Sequence, residues 1–291
     1  MRDERQGHAR DGVERQGGSW QGEERHGAGA PARSTLSVVV ARPDGPPGAA
    51  PVRGLNPDAP HLAASTMKVA VLAALHRSGL DLDEPVPVQN SFVSAAPGPE
   101  FAISAERDSD PEPWHAVGSR RSLRWLADRM IVRSSNLATN LCLAHTGLDA
   151  VAEVWRLAGA RHSVTGRAVE DFGADAAGIR NLVTAADLAR LLHWLPTELR
   201  DVLTANAHRV DLAAGLPPGT RVAFKNGWFP GVRHSAGIVY PPDAPPYTLV
   251  VCYSGPLASG DDVQDPAARL VARISAGYWG RRRLLGAGGR R

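Results

Sequence analysis

The run Ser65-Thr66-Met67-Lys68 places a hydroxyl and an amine three positions apart at the start of an apolar stretch. If that stretch is a helix, residues three apart share one face, and the Lys68 amine can reach the Ser65 hydroxyl. A serine hydroxyl becomes a useful nucleophile only when a base takes its proton. Lysine can be that base once its pKa falls well below its ordinary value of roughly 10.4. Burial, the positive end of a helix and a second cation nearby, for which Lys225 is the candidate, all push it down. Arginine could not serve, because its guanidinium keeps its proton throughout this range. Composition sharpens the point: of 33 basic side chains, 31 are arginines and only Lys68 and Lys225 are lysines. One Ser-x-x-Lys match is weak by itself, since serine fills 18 of 291 positions and precedes a given lysine by three about 6% of the time by chance.

Two further groupings add to it. Arg133-Ser134-Ser135-Asn136 falls between two helical patterns, where Ser134 can relay a proton to a leaving group and the Asn136 amide can hold Lys68 or a substrate carbonyl. A turn with a helix cap would read the same way. Phe224-Lys225-Asn226-Gly227-Trp228 ends a β-branched and aromatic run, and its glycine lets another backbone approach closely.

The elements that must position these groups can be read from periodicity and punctuation. Leu36 to Val40 and Val52 to Leu55 read as strands, and Thr66 to Arg77 as a helix closed by Gly79. Pro85 to Gly118 is irregular and proline-rich. Helices are expected over 122–132, 137–145, 148–157 and 185–194, the last opened by a Thr184/Asp187 capping box, and another after Thr197. Arg221 to Lys225, Ala236 to Tyr240 and Tyr247 to Tyr253 read as strands joined by short connections, which favours antiparallel pairing, before a final helix from Pro266 to Tyr278. Strands at both ends of the chain around a helical middle imply an α+β fold: one antiparallel sheet covered by the first and last helices, with an inserted all-α subdomain and a cleft between them. The expected organisation is a disordered tail over 1–34, a domain over 35–280 and a basic tail over 281–291. Within the domain, 35–80 and 215–280 form the α/β part and 81–214 the all-α part. The tail assignment rests on its charge, its seven glycines and its repeated Glu-Arg-Gln-Gly and Glu-Arg-His-Gly runs, which cannot bury enough apolar area to offset ordering.

In this order the three groupings resemble the S-x-x-K, S-D-N and K-T-G set of the class A serine β-lactamases and the penicillin-binding transpeptidases. Separations of 69 residues from Ser65 to Ser134 and 91 from Ser134 to Lys225 are similar to that family's, and the likeness spans roughly residues 35–280. The resemblance implies that Ser65 is the acylated nucleophile and Lys68 its general base. Ser134 would pass the proton to the leaving nitrogen, Asn136 would orient Lys68 and the substrate amide, and Lys225 would supply positive potential. It further implies an oxyanion hole from the backbone N–H groups of Ser65 and Trp228, and substrate contacts from Asn226, Gly227 and Arg233.

Three departures stand out. Ser135 replaces the aspartate of S-D-N, which puts loop rigidity in doubt, and Asn226 replaces the hydroxyl residue of K-T-G, which weakens the grip on a substrate carboxylate. Where the class A enzymes carry a deacylating glutamate, this chain has Arg167-Ala168-Val169-Glu170-Asp171-Phe172, with Ala168 at the expected place. Glu170 or Asp171 can act as the deacylation base only if the loop is rearranged. Three activities therefore stay open: a β-lactamase-like hydrolase of an amide, β-lactam or ester; a D-Ala-D-Ala-type peptidase, transpeptidase or transacylase; and a penicillin-recognising module that acylates once without turnover.

Composition excludes other classes. A formal net charge of +3, with five arginines in the last eleven positions, does not fit a nucleic-acid binder, so the expected partner is a small-molecule or peptide substrate and the chain a monomer. No apolar run reaches the roughly 18 residues of a membrane span. Without a secretory h-region, the chain as written is expected in the cytoplasm, and exported only if its true start lies elsewhere. Cys142 and Cys252 are expected as reduced buried thiols, and no residue spacing suggests a metal or cofactor.

Overall fold

Alternation along the end strands builds two faces of one sheet. Val39, Ala223, Ala236, Ile238, Val250 and Cys252 pack toward the helical middle of the chain. Their neighbours Val38, Val222, Phe224, Val239, Leu249 and Val251 pack on the opposite side, the period of two that a sheet buried on both faces requires. The computed structural model describes residues 34–43, 53–260 and 262–286. Apart from Ser34, the expected N-terminal tail lies outside these residues, as do Val52 of the second expected strand and residues 287–291 of the expected basic tail.

The sheet holds β1 (Thr35–Ala41), β2 (Arg53–Leu55), β3 (Arg221–Phe229), β4 (Val232–Tyr240) and β5 (Tyr247–Ser254). Its order is β2-β1-β5-β4-β3, antiparallel throughout. The two ends of the chain thus pair at its centre, with Thr35 opposite Ser254. The helices α1 (Lys68–Arg77), α2 (Leu123–Val132), α3 (Asn136–Thr146), α4 (Leu148–Leu157), α5 (Ala185–Trp194), α6 (Thr197–Thr204) and α7 (Pro266–Gly280) follow the sequence expectation closely. Side chains of Ser122, Ser135, Thr184 and Asp265 cap α2, α3, α5 and α7 by accepting from the N–H three residues on.

Two details differ from expectation. The strand bearing Lys225 continues to Phe229, because the turn is Pro230-Gly231: Phe229 pairs with Val232 and Gly231 has φ 85°. Proline followed by a glycine in the left-handed region is the chemistry of a type II turn. Helix α7 covers one sheet face, but the other is covered by α5 and by the turn that leads into α1. Helix α1 is apolar all round and buried from Lys68 to Leu75, so it forms the spine against which α3 and α4 pack rather than a lid on the sheet.

Cys142 and Cys252 are free and buried. Arg282 and Arg283 both reach the Asp243 carboxylate, at 2.7 and 2.6 Å. Among the described residues no helix is long and apolar enough to cross a membrane.

Candidate active site

Ser65 lies in a single 3-10 turn, Ala64–Met67, that runs straight into α1. Ala64, just before it, is held at a left-handed φ of 46°, strain of the kind that persists only where the surroundings over-determine it. The Thr66 hydroxyl pins the turn by donating to Ala63 O at 2.6 Å. Strand β3 passes so near that a Cβ on Gly227 would sit 2.5 Å from the Ser65 nitrogen and 2.9 Å from Ala64 Cβ. The Ser65 amide and strand β3 at Gly227 therefore lie side by side. Gly227→Ala puts a methyl group against a backbone nitrogen that cannot step aside. Acylation of the folded variant, followed by mass with folding checked by circular dichroism, should be at least about a hundredfold slower, the effect of losing one oxyanion donor.

Both lysines are fully buried and meet at Ser134. Lys68 Nζ donates to Ser134 O at 2.6 Å and Asn136 Oδ1 at 2.8 Å, with longer contacts to Ser135 O at 3.3 Å and Ser134 Oγ at 3.4 Å. Lys225 Nζ donates to Ser134 Oγ and to Asn226 O, each at 2.9 Å. Burial pulls Lys68 down to about 7, against the opposing pull of Asp108 and Glu170. Burial, then the charge of Lys68, also lowers Lys225 well below the usual lysine range. A neutral amine has two N–H groups. On Lys68 the two short bonds to Ser134 O and Asn136 Oδ1 would use both.

The two acidic neighbours divide sharply. Glu170 adopts a left-handed φ of 59°, which bends the loop and brings its Oε1 to 3.5 Å from Asn136 Nδ2. Its Oε2 accepts from Ser104 N at 3.2 Å and faces Arg107 at 4.0 Å, while burial raises its pKa. Asp171 instead caps the short helix Phe172–Ala176, accepting from Ala174 N at 3.1 Å, Ser94 Oγ at 2.7 Å and Ala95 N at 2.8 Å. The loop is closed at its neck by Asp175, which pairs with Arg167 at 2.8 Å and with Arg180. Asn140 clamps it from α3: its amide accepts from Val169 N at 2.8 Å and donates to Val169 O at 2.9 Å.

Asn226 and Arg233 lie in a closed polar network. Asn226 Oδ1 accepts from Asn206 Nδ2 at 2.9 Å, and its Nδ2 donates to His208 O at 3.1 Å and Asp211 Oδ2 at 3.0 Å. Arg233 has no exposed side-chain surface; it donates to Asp211 Oδ1 at 2.7 Å, Val263 O at 2.6 Å and Asp262 O at 3.2 Å, and stacks on Trp228 at 4.7 Å. Every nitrogen of the guanidinium is thus engaged inside the protein. His208, which has no distinguishing sequence signal, packs edge-on against Trp228 at 5.6 Å and bonds Arg133 O at 3.0 Å. His234 is also inside: Tyr253 N donates to its Nδ1 at 3.2 Å, so its Nε2 carries the proton and donates to Leu62 O at 2.9 Å.

The structure therefore gathers Ser65, Lys68, Ser134, Asn136, Lys225, Gly227 and Glu170 at one place, and sets Asp171, Asn226 and Arg233 into supporting networks. Asp108, Asn140, Asn206 and Asp211 belong to the site's frame without a motif to announce them. Only Asn140 had a readable signal, one helical turn beyond Asn136 on the same face.

The sheet of chain ends, the inserted helices and the serine at the helix start define the α+β fold shared by β-lactamases and penicillin-binding proteins. The chain is similar to PBP-A, at 20% identity over 86% of this chain and 91% of that one, TM-score 0.65. It is similar to a β-lactamase from Xanthomonas campestris pv. campestris str. ATCC 33913, at 22% identity over 84% and 91%, TM-score 0.67. It also resembles a class A β-lactamase from Mycobacterium abscessus, at 20% identity over 85% and 94%, TM-score 0.66. No curated protein matches the chain by sequence. The model of the beta-lactamase enzyme family matches residues 32–280, and the chain belongs to that family.

Proposed function

We propose that this protein is a serine hydrolase that acts on an amide, β-lactam or ester through an acyl-enzyme at Ser65. Lys68 takes the Ser65 proton as the hydroxyl oxygen attacks the carbonyl carbon, and the Ser65 and Trp228 amides hold the resulting oxyanion. Ser134, between the two lysines, gives its proton to the leaving atom as the bond from that atom to the carbonyl carbon breaks, and takes in its place the proton that Lys68 removed from Ser65. Glu170 then takes a proton from water as that water attacks the acyl carbon, the bond from that carbon to Ser65 Oγ breaks, and the proton held by Glu170 passes to Ser65 Oγ. The observation that carries this reading is the buried Lys68, held near a pKa of 7 with its short bonds made to Ser134 O and Asn136 Oδ1. Near that pKa a substantial share of Lys68 is the neutral amine, whose lone pair can take the Ser65 proton.

The Glu170 carboxylate beside Asn136 favours hydrolysis over a permanent adduct. The closed state of Asn226 and Arg233 favours a substrate held by the oxyanion hole and the Ser134 pair, rather than by an arginine on its carboxylate. A PBP-A mutant has been solved as an acyl-enzyme complex with penicillin G, and at 20% identity and TM-score 0.64 it marks penicillin as the first acyl donor to try.

The test is to incubate the protein with a chromogenic cephalosporin and a fluorescent penicillin while following colour and intact mass. Steady turnover, with an adduct that vanishes in Ser65→Ala, is the expected result. A stable adduct that an added amine releases would favour the transferase reading. An adduct that persists with every acceptor would leave a binding module. No adduct with any β-lactam or activated ester would remove Ser65 as the nucleophile.

A further inference from the structure

The loop that grips Lys68 has no rigid chemistry of its own. Ser134 stands in the left-handed region at φ 61°, and Ser135, the cap of α3, has only a hydroxyl with which to hold the loop. Rigidity comes from a segment distant in sequence. Ser109 Oγ donates to Arg133 O at 2.7 Å, and Arg107 O accepts from Asn136 Nδ2 at 3.0 Å. Between them, one oxygen of Asp108 accepts from Ser135 Oγ at 3.0 Å, Asn136 N at 2.9 Å and Leu137 N at 2.9 Å. The last two are the free amides of the first turn of α3, where a carboxylate is most stabilising. Asp108 is itself fixed, since the same oxygen accepts from Trp114 Nε1 at 3.0 Å and its other oxygen from Asp110 N at 3.2 Å. Asp110 is bound by Arg129 of α2, whose Nε lies 2.6 Å from Oδ2.

We propose that Asp108 is the positioning residue of the active site, a carboxylate supplied from outside the Ser134-Ser135-Asn136 loop that aims the Ser134 and Asn136 oxygens at Lys68. It works without touching substrate. The inference rests on the Ser65 acyl-enzyme reading for its rate predictions, but the geometry stands apart from it. Ser135 Oγ and the Asp108 oxygen are 3.0 Å apart at the first turn of α3, so a carboxylate at position 135 would crowd that of Asp108 and could stand in for its charge there. Two carboxylates there repel, and one is sufficient.

That gives a reciprocal test. Asp108→Ala and Ser135→Asp should each slow acylation of Ser65 by about a hundredfold, whereas Asp108→Ala/Ser135→Asp should be at least tenfold faster than either single variant. A double variant no faster than the slower single, or an Asp108→Ala rate within threefold of the original, overturns the proposal. Recovery of melting temperature without recovery of acylation also overturns it, because that is the result for a helix cap alone.

A second measurement needs no substrate. With two lysines in the chain, a lysine-labelled spectrum has two ε signals, and the Lys68 midpoint can be followed directly. Asp108 raises the Lys68 pKa against burial, so Asp108→Asn should move that midpoint to lower pH. An unmoved midpoint sinks the positioning role even if Ser65 is never acylated. A shifted midpoint in a protein that no acyl donor labels would keep Asp108 in its role and discard the acyl-enzyme reading instead.

Discussion

Lys68→Arg is expected to slow Ser65 acylation by at least about a thousandfold while leaving the charge at this position formally unchanged. General-base catalysis by a positioned side chain contributes about 10²–10⁴ in rate, and a guanidinium offers none of it because it does not give up its proton near neutral pH. The substitution also forces a permanent cation beside Lys225, where burial and the charge of Lys68 already push the second lysine down. The pH profile supplies the matching signature. Only the neutral amine accepts a proton, so the acylation rate of the unmodified protein should rise as pH passes upward through about 7, the value to which burial brings Lys68. In Lys68→Arg that limb should vanish. The measurement is the rate of mass gain with a penicillin from pH 5.5 to 9. Retention of a tenth of the original rate by the arginine variant would remove Lys68 as the base.

The same pair of lysines shows what a sequence can reveal about such a site. In a chain that writes nearly all its basic residues as arginine, the two lysines at a helix-leading serine and a Lys-Asn-Gly strand were legible as a pair, and the fold brings both amines to Ser134. Spacing and punctuation also located α4 and α5 to the residue, because helix length and capping are local properties. The carboxylate at Asp108 was not legible. It lies in a proline-rich segment with no periodicity, 27 residues from the Ser135 hydroxyl it accepts from, and only the fold brings them together. For the same reason Ser135 reads in sequence as a loss of rigidity, whereas in the folded chain it is the complement of Asp108. The closure of Arg233 was hidden too: one arginine among 31 carries no mark that says its partner is a buried aspartate. Strand pairs two or three residues long, such as His61–Leu62 with Asn181–Val183, fall below the length at which alternation can be seen.

Replacing Glu170 by glutamine should separate the two halves of the reaction. The Glu170 amide keeps the size of the acid and an oxygen for Ser104 N, so the loop should hold its shape and acylation should stay within about tenfold of the original. What is lost is a base for water, and deacylation should fall by about 10²–10⁴. The visible result is a burst of colour followed by near silence, with the acyl-enzyme accumulating to full occupancy by intact mass. Burial raises the Glu170 pKa, which makes its carboxylate a stronger base, so the acid limb of deacylation should lie above the usual carboxylate range. Asp171→Asn provides the contrast: it weakens a cap that binds Ala174 N, Ser94 and Ala95, and should show first as a lower melting temperature. Equal turnover by Glu170→Gln and the unmodified protein would move water activation to another group. An adduct equally long-lived in both would mean that Glu170 braces Asn136 and Arg107 rather than activating water, and that the acyl group at Ser65 awaits an acceptor other than water.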